Sequence, residues 1–347
     1  MGEVSESASV GGEGGKSGSS KKAAVDAQSF NWVKRCMEEL YGGAVGELQG
    51  LGEAAEKLDA FSTVLMLAET EHHLDDVSNS NDERVNSSSS FIINMLLQVK
   101  FSLQSVFTRF IDAQISAMGE LKPNSRYCGV LLPFKKFPTF VRKLESQMPM
   151  GRRQPIADSS YSKLIVRLFE WLDGIARQEE KYYHIVKMEN FHHFSASMRE
   201  VLQSCPGLES VRDYVKQADK KYGEHEQAYL NWIIHDGIGK VQEFCNGVTE
   251  MRDALSASEI QYQEAFSKDK LRRLLADVGG RNKVHKALAD MKKRMEKHLS
   301  VEENLHPKLC DLLQSKLKTL LDSLLSILVE CYGGEKASEL EAIVNSL

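Results

Sequence analysis

The stretch MENFHH, residues 188–193, sets two histidines, a carboxylate and an aromatic ring together. Histidine titrates near neutral pH and ligates metals through either ring nitrogen, so a general base or a metal centre is the chemistry to consider. Glu189 and His192 also form the Glu-x-x-His spacing with which helical bundles hold di-iron. One reading is therefore a helical-bundle metalloprotein or enzyme using Glu189 and His192. On a helix, however, residues three and four apart are neighbours and adjacent ones diverge by about 100°. His192 and His193 would then point apart, and Glu189, one turn earlier, could pair with either. The second reading is a packed helix whose histidines border a core and are steadied by Glu189. Ile185, Met188, Phe191, Phe194 and Met198 would supply its apolar surface.

Other chemical patterns fall short of their requirements. A di-iron site needs a second Glu-x-x-His; Glu69 and His72 match, but no further glutamates sit in well-formed apolar helices. GEHEQAY, 223–229, begins like a zincin, yet the second histidine position is Tyr229, so the ligand pair is missing. GGKS in the N-terminal tract mimics a phosphate loop, but the required first glycine is Val10 and no strand precedes it. No G-x-S-x-G elbow occurs. Cys36, Cys128, Cys205, Cys245, Cys310 and Cys331 are scattered singly with no C-x-x-C pair. That suits small buried hydrophobes in a reducing compartment and not a zinc ribbon. The expectation is no catalytic residue, no cofactor and no metal.

The elements that would carry these residues are helical. The chain has 347 residues, 42% hydrophobic and 27% charged, with net charge −5. A net negative chain is no generic nucleic-acid binder. Uninterrupted apolar runs are a few residues long, short of the roughly 18 for a membrane span, and no apolar segment follows Met1 to serve as a secretory signal. Residues 1–27 are read as a disordered Gly/Ser-rich tail. Residues 28–122 are read as N-terminal long helices, at about 28–41, 46–77 and from 91, with a polar linker at 78–90. Residues 123–347 are read as C-terminal helical bundles. There, a proline-rich connection holds one short helix at about 136–148. A long helical run follows from Asp158 and Ser159 to Cys205. DGIG at 236–239 kinks or breaks the next helix. Further helices fit 267–278, 281–299, 303–332 and 335–347. No β-alternation or fixed-period repeat occurs. The predicted fold is all-α, an elongated rod of stacked helical bundles.

Residues 281–298 hold seven Lys and Arg against two acids, net +5. Val284, Leu288, Met291 and Met295 form the predicted buried stripe. Lys286, Lys292, Lys293, Arg294 and Lys297 then make a candidate patch for an acidic partner or anionic lipid, against the plainer reading of a solvated face.

Three stretches go beyond generic helix: KMENFHHF (187–194), YQEAFSKDKLRRLL (262–275) and KALADMKKRMEKHLSVEENL (286–305). In this order and spacing, with CYGG at 331–334, they resemble the C-terminal region of the exocyst complex component one family, the Sec-three-type subunits. The resemblance covers about 90–334 and excludes the first 27 residues. It implies a non-enzymatic subunit of an eight-subunit complex that tethers secretory vesicles to the plasma membrane before fusion. The implied partners are other exocyst subunits, with peripheral membrane association mainly through them and no nucleic acid. The implied location is cytoplasmic, with recruitment to the plasma membrane at sites of exocytosis. A rod subunit of another tethering complex is the alternative within the same architecture. Family members also carry an N-terminal lipid- and Rho-GTPase-binding domain and a coiled-coil region, neither of which is read in these residues. HPK at 306–308 places Pro307 where the family continues an apolar helix, so a helix restart is expected there, with Ser300 and Glu303 as a capping box.

Overall fold

The structure, a computed structural model, describes residues 17–79, 90–122, 129–149, 151–278 and 280–347. Among them there is no strand, as the all-α reading expects. The helices are α1 (Ser17–Tyr41), α2 (Ala44–Leu58), α3 (Ser62–Ser78), α4 (Ser90–Glu120), α5 (Leu132–Ser146), α6 (Pro155–Ala176), α7 (Tyr183–Ser204), α8 (Glu209–Arg252), α9 (Ala257–Ile260), α10 (Lys268–Val278), α11 (Gly280–His298), α12 (Leu305–Tyr332) and α13 (Ala337–Val344). Two compact units result: Met1–Gln114 with Lys143–Ser160, and Ile115–Arg142 with Tyr161–Leu347. The first unit thus takes back residues 143–160, which the sequence reading assigns to the C-terminal bundles.

In the first unit, Leu67 of α3 and Val99 and Leu103 of α4 form a core against which Leu48, Met66 and Ile156 pack. The single helix expected at 46–77 is two helices. Asp59 ends α2: its carboxylate accepts the Phe61 N–H at 3.1 Å, and its carbonyl accepts Ser62 Oγ–H at 2.7 Å. Lys143 pairs with Asp59 at 3.1 Å and lies 4.4 Å from the Phe61 ring centroid. That hydrogen bond holds the Asp59 carboxyl below its ordinary range. A turn-forming aspartate wins here over helix propensity because local side-chain bonds compete with the backbone ladder.

Two other expectations shift at the N-terminal end. The backbone is helical from Ser17, inside the tract read as disordered, while residues 1–16 and the linker residues 80–89 lie outside the described residues. And α4 is long and apolar enough to cross a membrane. Apolar run length misses it because polar residues such as Gln98, Lys100 and Gln104 interrupt the run. Its Val99, Leu103, Val106, Phe107 and Ile111 are buried.

The second unit is centred on α7. Residues Ile185 to Phe191 are all buried, so this helix meets protein on every side. Ile185 and Met188 join a core made with α8, α10, α11, α12 and α13. On another side Phe191 and Phe194 meet phenylalanines of α5 and α6. Phe169 lies 5.1 Å from both Phe191 and Phe194, edge-on, and Phe137 stacks on Phe194 at 5.8 Å. These aromatic contacts explain why α5 starts at Leu132 and tolerates Pro138 within it: Phe134 and Phe137 are buried, which offsets the lost hydrogen bond.

The run expected from 158 to 205 is interrupted at 177–182, so α6 and α7 are separate helices. α6 begins at Pro155, and Asp158 in its first turn pairs with Arg153 at 2.6 Å. The kink read at 236–239 is present: Ile238 has φ −140° and ψ 35° within α8. Gly237, just before the kink, packs closely on α11: a Cβ there would lie 2.5 Å from Met291 Cε.

Phe191 is 2% exposed and contacts Phe169. Phe191→Ala should destabilise the protein by about 3–5 kcal/mol in urea unfolding; an unchanged midpoint would show that this side of α7 carries no packing.

Candidate functional site

A helix buried on all sides must find internal partners for its polar residues. In MENFHH each polar side chain has one, and most come from far along the chain. Glu189 is fully buried. Its Oε1 accepts the Ser300 N–H at 2.7 Å and Ser300 Oγ–H at 2.6 Å, and its Oε2 accepts the Gly129 N–H at 2.6 Å. Gly129 presents that N–H with φ +95°, a conformation other residues adopt only under strain. Asn190 fastens the same segment: Oδ1 accepts the Leu131 N–H at 2.8 Å, while Nδ2 donates to the Gly129 carbonyl at 3.2 Å. Burial pushes the Glu189 carboxyl up, although the Ser300 and Gly129 donors pull it down.

The histidines converge on one carboxylate. His192 Nδ1 is 2.9 Å from Glu303 Oε2, and His193 Nδ1 is 2.8 Å from Glu303 Oε1. An ionised carboxylate only accepts, so both Nδ1 atoms carry protons. The rings diverge as helix geometry requires, yet Glu303 spans them; Glu189, expected to steady them, is turned to Gly129 and Ser300. Lys135 pairs with Glu302 at 2.6 Å, adding a tie between α5 and the turn 299–304.

This turn also overturns the capping-box expectation. Ser300 and Glu303 are both spent on α7, and α12 starts after Asn304, which has left-handed φ 48° and no side-chain cap. The helix does restart there, with Pro307 in its first turn. The same S-x-x-E pattern at 256–259 does form a capping box, Glu259 accepting the Ser256 N–H at 3.1 Å.

The remaining chemical residues are also occupied. Lys187 is buried, ion-paired to Asp173, and donates to Tyr183 Oη at 2.6 Å. Burial alone would raise Asp173, but Lys187 and Arg177 hold its carboxyl below the ordinary range. His184 and His225 meet Nδ1 to Nδ1 at 3.0 Å across α7 and α8. Burial and the Lys187 charge push His184 down, and burial, Lys187 and His184 push His225 down to about 4. In the zincin-like stretch, Glu226 is ion-paired to Lys308 at 3.0 Å and bonded to Tyr222, and Tyr229 Oη lies 3.3 Å from His298 Nδ1. Glu69 pairs with Arg152 at 3.2 Å, and His72 with Asp76 at 3.4 Å. The two Glu-x-x-His pairs lie in different compact units. Among the described residues no group of three or more His, Cys, Asp or Glu is placed to share a metal ion.

Among the described residues, one Cys–His neighbour pair brings His306 Nε2 to 3.4 Å from Cys310 Sγ. That Nε2 also lies 3.2 Å from the Lys292 carbonyl, so it carries the proton and cannot serve as a base for the thiol. Burial raises the Cys310 thiol and pushes Cys245 up to about 12. Cys245, Cys310 and Cys331 are buried and Cys36 and Cys205 half-buried, while Cys128 lies outside the described residues.

The basic patch is arranged on α11 as the periodicity requires. Val284, Leu288, Met291 and Met295 are buried. Lys286, Lys293 and Lys297 are exposed. Arg294 is ion-paired to Asp236, and Lys292 donates to Gln314 at 2.8 Å, so those two cations are already engaged.

The comparisons with known proteins address the chain as a whole. Residues 7–334 match the family described as exocyst complex component Sec3, C-terminal. The chain belongs to this family. The match begins at residue 7 and so takes in most of the N-terminal region that the sequence reading set outside the resemblance. Exocyst complex component 1 of Mus musculus is 28% identical over 305 residues, 87% of this chain and 33% of that protein. The Drosophila melanogaster protein of the same name is 28% identical over 312 residues, 89% of this chain and 34% of the relative. That of Dictyostelium discoideum is 26% identical over 275 residues, 78% and 30% respectively. The chain spans about a third of the length of the curated relatives it matches. No solved structure matches it.

Two outcomes follow from the geometry. Glu189→Gln keeps the size but turns an amide N–H₂ toward donors that need an acceptor, which should cost about 1–3 kcal/mol in denaturant unfolding; an unchanged midpoint would contradict the bonding described. His225 has a folded value of about 4 against an ordinary 6.5, so the unfolded chain binds more protons between them. Its contribution to stability is present above about 6.5 and is lost as pH falls toward about 4. Melting temperature should therefore fall over that window, and His225→Gln should flatten the fall.

Proposed function

We propose that this chain works as a non-enzymatic part of an exocyst tethering complex, helping to dock secretory vesicles at the plasma membrane. The observation that carries the reading is the family match over residues 7–334. The site geometry supports it. The polar residues with the best chemical credentials, Glu189, His192 and His193, hold turns in place and face one another's partners instead of a substrate cavity. Tethering calls for surfaces and stiffness, and α7 contributes the second by fastening segments around it.

The proposed partners are other exocyst subunits. Net charge of −5 supports a protein-binding role over nucleic-acid binding. Membrane recruitment is proposed to come mainly through those partners, with the chain cytoplasmic until recruited. Of the five patch residues, Lys286, Lys293 and Lys297 make no ion pair among the described residues and so can offer their charges to a lipid surface, each worth roughly 1 kcal/mol near anionic lipid and less as salt screens it.

Two assays test this. Affinity purification from cells should recover exocyst subunits in stoichiometric amount; recovery of a different tethering complex would favour the alternative scaffold. Isolated protein should bind anionic liposomes weakly and lose that binding by 500 mM salt. Submicromolar binding at physiological salt, abolished by reversing Lys292, Lys293 and Lys297, would make α11 a lipid site in its own right.

A further inference from the structure

The junction of α10 and α11 separates two shallow cavities of the second unit. Each is about 290 Å³. Val278 lines both. The first has an apolar floor that includes Val241, Leu317 and Leu321, beside the α8 kink. The second is floored by Leu275, Leu340 and Ile343. Ligand pockets for whole small molecules run roughly 300–1,000 Å³ and enclose most of the ligand. Cavities at the foot of that range, open and paired across one shared wall, suit single side chains of a larger partner.

The charges around them have one sign in excess. Lys283 and Lys286 border the first cavity and Arg281 and Lys336 the second. Lys293 and Lys297 extend the row from Lys286 along α11, at spacings of seven and four that place all three on one outward ridge, opposite the buried stripe. Among the described residues Arg281, Lys286, Lys293 and Lys297 make no ion pair. Asp277, a carboxylate at the shared wall, is taken by Lys240 at 2.9 Å; Asp290 and Glu339 line the cavities, and Glu296 lies on α11 between Lys293 and Lys297, so the ridge keeps three cations against one acid. Unpaired cations surrounding apolar depressions are complementary to a segment that carries carboxylates beside apolar side chains. Amphipathic helices deliver such side chains three, four or seven residues apart.

We propose that this surface docks an acidic amphipathic helix of a partner protein, with one apolar side chain entering each cavity and its carboxylates meeting the ridge of Lys286, Lys293 and Lys297. The inference rests on the proposed tethering function and names one surface through which it would act. A membrane is the weaker occupant, because a flat anionic surface uses neither cavity and would also approach Asp290 and Glu339.

The test uses the full chain and the remaining exocyst subunits purified together. Binding is measured for the wild type, for Lys286→Glu with Lys293→Glu, and for Ala342→Trp, which blocks the rim of the second cavity at an exposed position. Both variants should melt like wild type and bind at least tenfold more weakly. The charge reversal should also flatten the salt dependence, which the tryptophan should leave intact. Carbodiimide, which joins amines to carboxylates in contact, should link Lys286 or Lys293 to Asp or Glu of a partner segment that also carries apolar residues at helical spacing. Wild-type binding that neither variant changes, or the absence of such links from a bound complex, would overturn this inference and leave the tethering function standing. A wild-type chain that does not bind the subunits at all would sink the function itself. Loss of liposome binding in the charge reversal, with subunit binding unchanged, would assign the ridge to membrane and also overturn the proposal.

Discussion

Glu189 is a carboxylate removed from water, and the rest of the second unit is arranged so that it is not alone. Burying an ionised carboxylate without partners costs several kcal/mol or more. Here two backbone N–H groups and one hydroxyl converge on its two oxygens. Those donors come from chain segments 60 and 111 residues away. Satisfying one side chain on α7 therefore fixes where the segment before α5 and the turn before α12 must lie. Asn190 and the Glu303 bridge to His192 and His193 repeat the device on neighbouring faces.

The apolar packing and the polar clamp divide the work. Hydrophobic burial holds α7 among its neighbours but is non-directional and tolerates sliding. Hydrogen bonds to a buried carboxylate specify one register, because any shift leaves donors and acceptors unpaired. Together they hold α7 and the turns around it in one arrangement. The stretch KMENFHHF is then intelligible residue by residue: Lys187 answers Asp173, Met188 and the phenylalanines fill the two sides of the core, and Glu189, Asn190 and the histidines set the turns.

Much of the fold was legible in the sequence, because helical periodicity is a local signal. The stripe Val284, Leu288, Met291 and Met295 is buried as spaced, and the DGIG kink falls at Ile238. The breaks at 59–61 and 177–182 were not legible. RQEEKY contains neither proline nor a loop-forming glycine, and at 59–61 the one local signal is a single aspartate, with no glycine or proline beside it. The clamp was legible only in part. Its α7 half is visible in the sequence, but spacing on one helix says nothing of partners 60 or more residues away, so the sequence pairs Glu189 with the histidines and not with Ser300 and Gly129. The two S-x-x-E motifs make the same point, since identical local patterns cap a helix at Ser256 and serve α7 at Ser300. One signal was available: Ile185, Val186, Met188 and Phe191 do not fall on a single stripe, which marks a helix buried on all sides.

The central claim is that MENFHH is a structural clamp whose polar groups hold distant turns rigidly. Native-state hydrogen exchange at the amides of Gly129, Leu131 and Ser300 tests it most directly. All three lie outside helices, where amides ordinarily exchange fast. If the clamp holds, they exchange nearly as slowly as the amides within α7, opening only when the second unit unfolds. Exchange at the rate of exposed turns, with α7 itself well protected, would contradict the account.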